Sequence, residues 1–532
     1  MSSHELSQES APAKNVAFDD KASPSSASES VLARRQWIAR ANRQRTNLDE
    51  VDQKAYRHAH IIRRPHAMQH FHQERKPRDR KLSKSESASC GEGEERTTDN
   101  VLIQLARLDL FIDLIWVGIV ANLSATFSEQ AFSDSGVSQG TAFLEYFLLF
   151  MPIWRLWDYL RDYGSNYYKD DFIQRNFMVW ILILSVLYGI NAPYAFAPDD
   201  EGNSLTLLIC TYLVARGSFL GAYALQSAFL PFLRRMVLFQ IVTTAAISGM
   251  WIAAIFVPYP GKTALLLLAN VIEHPLAIFM ASPASNCLLT GGWEHSPDVE
   301  HYIERMEGFF IIILGEGVFR LIEGSPSGIG LNGRTGVVVI ALLLYYVIHW
   351  LYFNGDQSKV YVHALRRTWW KAFLWKFAHI IIFAALLILA ASVLFLVEHP
   401  SARSTSTTSE ADVSSESETL NADELPHYTL YALWSSSLSL AVALFGMTLV
   451  ALLNRPLDKP KTLLINSRWI RMAPRLPAIA FIVCLPLFRS MDAAHWCGAA
   501  TAILYGVFLW EWFVGMERNL KVLEPKGEAN YN

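Results

Sequence analysis

The stretch RLDLFIDLIWVGIVANL, residues 107–123, sets Asp109 and Asp113 about one helical turn apart in otherwise lipid-soluble sequence. A carboxylate at a bilayer centre costs roughly 2.5–3.5 kcal/mol even on insertion scales, so such groups are kept for a partner or a task. HYIERMEGFFIIILGEGVFRLI, residues 301–322, adds His301, Glu304, Arg305, Glu307, Glu316 and Arg320. On a helix, Arg305 and Glu316 lie about three turns apart on a shared face, with Glu316 roughly 16 Å deeper. Gly315 and Gly317 flank Glu316, which lets neighbouring backbone or water come close. LVARGSFLGAY places Arg216 mid-span beside a Gly217-xxx-Gly221 packing face, and NVIEHPLAIF places Glu273 and His274 mid-span. Pro275 follows them, frees a backbone carbonyl, and predicts a half-broken helix against protein or a wet cavity.

Depth divides these groups in two. Arg216, Glu273 and Glu316 form a midplane set, one cation with two potential partners. Asp109, Asp113, Arg155, Asp158, Asp162, Arg305 and Glu307 lie nearer the cytosol, with Arg155 and Arg305 the expected counter-ions of Asp109 and Asp113. Residues Arg155, Asp158, Arg161 and Asp162 also make an i,i+3/i,i+4 charge ladder within PIWRLWDYLRDYGSNYYKDD. The candidate coupling or permeation residues are therefore Asp109, Asp113, Arg155, Asp158, Arg216, Glu273, His274, His301, Glu304, Arg305 and Glu316. The competing account is architectural, because intramembrane ion pairs can simply lock helix register.

Other chemistries find less in the sequence. None of the four span histidines (His274, His301, His349, His379) stands in HxxxH or HExxH spacing, so each reads as structural and no metal is expected. There is no nucleophile elbow, P-loop or dinucleotide fingerprint, so no cofactor, no nucleic-acid partner and no enzymatic activity are expected. The five cysteines (Cys90, Cys210, Cys287, Cys484, Cys497) lack CxxC spacing and predict neither disulfides nor zinc.

The elements that must hold these groups are transmembrane helices. The chain is 52% hydrophobic despite a polar first hundred residues, so the apolar content is concentrated beyond them. Apolar runs of spanning length predict an all-α polytopic bundle of about twelve spans. They fall at 104–127, 141–162, 176–197, 204–226, 235–257, 263–282, 301–322, 335–353, 373–397, 428–453, 475–490 and 494–514, the eleventh short and broken by Pro477 and Pro486. Loops after even-numbered spans carry LPFLRR, HALRRTWWK and NRPLDKPKTLLINSRWIRMAPR, whereas those after odd-numbered spans carry APDDEGN, PYPGK and an acidic Ser/Thr-rich insert. That asymmetry predicts both termini in the cytosol. Four regions follow: a disordered basic tail at 1–100, bundle halves at 101–290 and 300–515 (the second interrupted by the 400–427 insert), and a tail at 516–532. The first tail, dense in Arg, Lys and His from Arg34 to Lys84, could meet anionic lipid or merely set topology.

These motifs together resemble the low-temperature-requirement A (LtrA) family of membrane proteins. DLFIDLIWVGIVANLS is similar to its acidic opening span, and WRLWDYLRDYGSNYYKDD resembles its W…Y-x-N…D-D element through Trp157, Asn166, Asp170 and Asp171. HYIERMEGFFIIILGEGV resembles its H-x-x-E-R…L-G-E signature through His301, Glu304, Arg305, Gly315 and Glu316. IHWLYFN departs from the family's W-W-L-Y-F-D at His349 and Asn354, and KFAHIIIFAAL matches its histidine segment at His379 without the proline. The resemblance covers roughly residues 100–515; the long tail and Ser/Thr insert fit fungal members better than bacterial ones. It implies fold and membrane residence but no established reaction. Within the chain, RLDLFID echoes RMEGFFI at 305–311, and Glu273 in the sixth span echoes Glu511 in the twelfth, as a 6+6 parallel repeat would require. The expected function is a secondary transporter or an ion/proton permeation protein for an unidentified small solute or ion. The alternatives are a non-transporting scaffold or stress-adaptation protein and, third, an intramembrane metal-dependent hydrolase.

Overall fold

A computed structural model describes residues 71–73, 95–134, 136–167, 172–197, 203–290, 293–295, 299–399, 425–458, 462–488, 491–516 and 518. Side chains are described from Leu110 onward, with 165–167, 232, 293–295 and 425–426 excepted. Most of the basic tail, the acidic insert and the C-terminal tail therefore lie outside the described residues, as does the side chain of Asp109.

The described part is helical, because a backbone in lipid must satisfy its own hydrogen bonds. The long helices are α1 (Glu95–Ala131), α2 (Gln139–Tyr167), α3 (Phe172–Asn191), α4 (Leu205–Phe229), α5 (Arg234–Phe256) and α6 (Gly261–Ala281). After a short α7 (Pro283–Leu289) come α8 (Val299–Arg320), α9 (Gly333–Asn354), α10 (Trp369–Glu398) and α11 (Leu425–Leu453). Two short helices, α12 (Arg468–Met472) and α13 (Arg475–Cys484), precede α14 (Ala493–Val514). Among the described residues, ten segments are long and apolar enough to cross a membrane. The remaining two of the twelve sequence-predicted spans, α2 and α8, are helices of 29 and 22 residues whose charged ladders set them apart. This is a multi-pass helical membrane architecture.

Local chemistry sets several helix ends. Asn332 accepts from the Thr335 amide at 2.9 Å in a capping box that starts α9, and Gly355, at φ 54°, ends it. Asp492 caps α14 by accepting from the His495 amide at 2.8 Å. Two expectations are corrected. α6 runs unbroken through Pro275, so the proline does not produce a half-helix. The eleventh span starts earlier than expected, at Arg468, and is interrupted near Pro474 between α12 and α13.

The core centres on α10, the most buried of the candidate spans, which packs against α1, α8 and α11. Close approach to α11 requires Gly446, where a Cβ would sit 2.6 Å from Cγ1 of Ile382. Polar ties cross between the sequence halves: Ser124 Oγ donates to the Leu387 carbonyl at 3.0 Å, and Tyr146 Oη to that of Ala384 at 3.1 Å. α5 and α6 leave much of their apolar surface exposed, as lipid-facing helices do. Two short antiparallel ladders complete the described structure, β1 (Phe71–Gln73) with β2 (Trp293–His295) and β3 (Tyr361–Val362) with β4 (Arg455–Pro456).

Candidate functional site

Glu273 sits near the middle of α6 and receives two arginines, one on each carboxylate oxygen. Arg155 of α2 meets Oε2 through Nε, and Arg216 of α4 meets Oε1 through Nη1. The Glu273 and Arg216 side chains are 1% and 3% exposed, and that of Arg155 is 14% exposed. Arg155 is thus the outward member of the triad. Tyr212, one turn before Arg216, offers its hydroxyl to the guanidinium at 3.4 Å. On α6, His274 Nδ1 donates to the Asn270 carbonyl at 2.9 Å, since a carbonyl can only accept. Burying a charge is tolerable only when it is paired, and three helices are registered here by one carboxylate.

The triad forms part of the wall of a cavity of about 360 Å³. α2, α4, α5, α6, α8 and α10 all contribute to its lining, which is mostly aliphatic and aromatic. Asp158, Asp162, His274 and Lys376 also reach it. It extends from Asp162 and Lys376, near one end of their helices, to Arg216 and Glu273 at mid-helix.

A second cluster lies beside it. Asp113 accepts from Arg305 Nη1 at 2.9 Å and from Trp157 Nε1 at 3.0 Å. Arg161 pairs with Asp158 and, at 3.0 Å, with Asp162, and its guanidinium lies 3.8 Å from the Tyr302 ring centre. Trp157 takes both cations on its ring, Arg161 at 5.1 Å and Arg305 at 5.7 Å.

The sequence-predicted groups therefore distribute as follows. Arg216 with Glu273 and Asp113 with Arg305 come together as expected. Arg155, expected beside Asp109 and Asp113, instead binds Glu273. Glu316 does not join Arg216 and does not line the cavity: its carboxylate holds Arg320 at 2.7 Å, one turn along its own helix. Arg320 also donates to the Ala121 carbonyl at 2.7 Å. Gly317 is small because Tyr345 packs there, with a would-be Cβ 2.8 Å from its ring, not to admit water. His301 is half-buried and Glu304 exposed near the start of α8, and neither lines the cavity. His379, read as structural, bridges the Tyr352 hydroxyl at 2.9 Å and the Trp375 carbonyl at 2.8 Å.

Two features escaped sequence reasoning. Arg475 forms a bidentate pair with Glu511, at 2.5 and 2.8 Å, with both side chains essentially inaccessible. Lys376 enters the cavity and stands 4.3 Å from the Tyr302 ring. Both cations lie near helix starts, where a Lys/Arg reads as a topology signal. The echo of Glu273 at Glu511 is met only in part: each buried carboxylate holds arginine, but from helices that do not correspond in a 6+6 repeat. Among the described residues no group of three His, Cys, Asp or Glu is placed to hold a metal ion.

The family model of the bacterial low temperature requirement A protein (LtrA) matches residues 105–509. An uncharacterized protein of Rhizobium meliloti (strain 1021) is 23% identical over 265 residues, 47% of this chain and 58% of that protein. The chain thus spans less than two thirds of the curated relative it matches. No solved structure matches significantly.

Proposed function

The chain belongs to the LtrA family, and from that premise we propose that it is a secondary transporter or ion/proton permeation protein, not an enzyme. The observation that carries this reading is the Arg155–Glu273–Arg216 triad at the wall of a cavity deep in the helices. An intramembrane ionisable group beside a cavity is by default a functional site. Glu273 divides its two oxygens between two helices, so neutralising it releases α2 and α4 together. A bistable contact of that kind is what an alternating cycle needs. In this reading both termini are cytosolic, and the basic residues 1–100 rest on anionic lipid.

The scaffold or stress-adaptation alternative draws on Asp113–Arg305 and Arg475–Glu511, ion pairs between helices whose carboxylates stand clear of the cavity lining. The hydrolase alternative has no such set among the described residues. Purified protein in sealed liposomes, assayed with a panel of ions and small solutes, decides between the first two. We expect flux for the native chain and its loss in a Glu273→Gln variant that still elutes as a folded species. A folded native protein that moves nothing across the panel favours the scaffold.

A further inference from the structure

We infer that the cavity is an anion site, taking a small solute with one carboxylate on an apolar body. This rests on the permeation reading above and names its substrate class. The charge count comes first. Arg155, Arg216 and Lys376 line the cavity against Asp158, Asp162 and Glu273, and Arg161, outside the lining, pairs with both aspartates. Arg161 and Lys376 neutralise the two aspartates at the shallow end, so the excess positive charge lies at the deep triad. There two guanidiniums share a single carboxylate.

The unfilled hydrogen-bond capacity points the same way. Arg155 faces Glu273 through Nε, and that nitrogen, buried, has no hydrogen-bond partner among the described residues. Arg216 Nε is buried and also without one. A guanidinium presents its donors as a planar fork that matches a carboxylate, and a water-poor wall strengthens that match. A cation would instead meet two arginines, and Glu273, although its Oε2 has no hydrogen-bond partner among the described residues, is already ion-paired with both. The aliphatic and aromatic lining accommodates an apolar body, and the volume of about 360 Å³ suits a small organic acid.

Full-length protein in neutral detergent is the material for the test, with radiolabelled benzoate as probe in equilibrium dialysis. Saturable binding is expected, displaced by other monocarboxylates and unaffected by tetraethylammonium. Arg155→Gln should weaken binding at least tenfold, and Arg155→Lys, which keeps the charge but not the fork, should weaken it by less. Glu273→Gln should tighten binding, because it removes the carboxylate that competes for the arginines. Arg320→Gln, remote from the cavity, should bind normally. Size-exclusion profiles exclude misfolding in each variant. Absence of saturable benzoate binding by the folded native protein overturns the anion assignment. So does saturable binding of tetraethylammonium that Glu273→Gln abolishes, although that result leaves permeation standing. Benzoate binding without flux in liposomes has the opposite meaning: the site stands and the transporter reading fails.

Discussion

Glu316 shows how a carboxylate chooses its partner at the scale of single residues. Sequence depth put it beside Arg216, but Arg320 stands four residues on, and Glu before Arg at i,i+4 is the favoured order. A local pair needs no tertiary alignment, so it forms before any contact across the bundle can compete. Glu316→Gln should therefore cost about 1.5–3 kcal/mol, the range of a hydrogen bond to a charged group. Adding Arg320→Met should restore much of that loss, and adding Arg216→Met should deepen it. Thermal-shift measurements on the single and double variants check this; rescue by Arg216→Met would return Glu316 to the midplane set with Arg216 and Glu273.

At the scale of elements, one end of the bundle is tied by its loops. β3 pairs with β4, the Ala364 amide donates to Asn454 Oδ1 at 2.9 Å, and Arg367 donates to the Leu453 carbonyl at 2.6 Å. Arg471, 1% exposed, donates to the carbonyls of Asp356, Ile465 and Asn466 within 3.0 Å. Within this tie His363 caps a short 3₁₀ turn, its Nδ1 accepting from the Leu365 amide at 3.3 Å while its ring meets Trp375. Burial first, and then the neighbouring Arg366, push its pKa down from 6.5 to about 4. The folded state therefore holds His363 neutral, and a protonated ring could no longer accept at Nδ1. Its contribution to stability is present above pH 6.5 and is lost as the pH falls toward 4. The melting temperature of the native protein should drop over that interval more steeply than that of His363→Gln. Parallel curves for the two would show that His363 carries none of the dependence.

At the scale of the whole molecule, contacts between loops bear on orientation in the membrane. The residues 355–368, 454–458 and 462–475 and the end of α14 are hydrogen-bonded to one another, so they share a face. The segment 321–332 lies at the far end of α9 from Gly355. The positive-inside rule predicts that the Arg-rich face is the cytosolic one. In a cysteine-free background, Leu331→Cys should react with an impermeant thiol reagent on intact cells displaying the protein at their surface. Lys359→Cys should react only after permeabilisation. Both positions are exposed, so the inverse pattern reverses the orientation and nothing else.

Much of this was legible in the residues alone. Apolar length is a local property, and it located all twelve long helical segments, with ends displaced by several residues at Glu95, Tyr167 and Phe172 as well as near Pro474. Motif order along the chain identified the family. Two of the ion pairs, Arg216–Glu273 and Asp113–Arg305, followed from depth, because a buried charge must find a partner at its own level. The azimuth of each helix was not legible. A span that is apolar nearly all round carries little amphipathic signal to say which face turns inward. Depth alone could not tell that Arg155 turns toward α6 and not α1, or that Arg475 reaches Glu511. Nor could it show that Glu316 is held by its own helix. Packing between helices decided those rotations, and with them which carboxylate stands at a cavity and which only holds two turns of helix together.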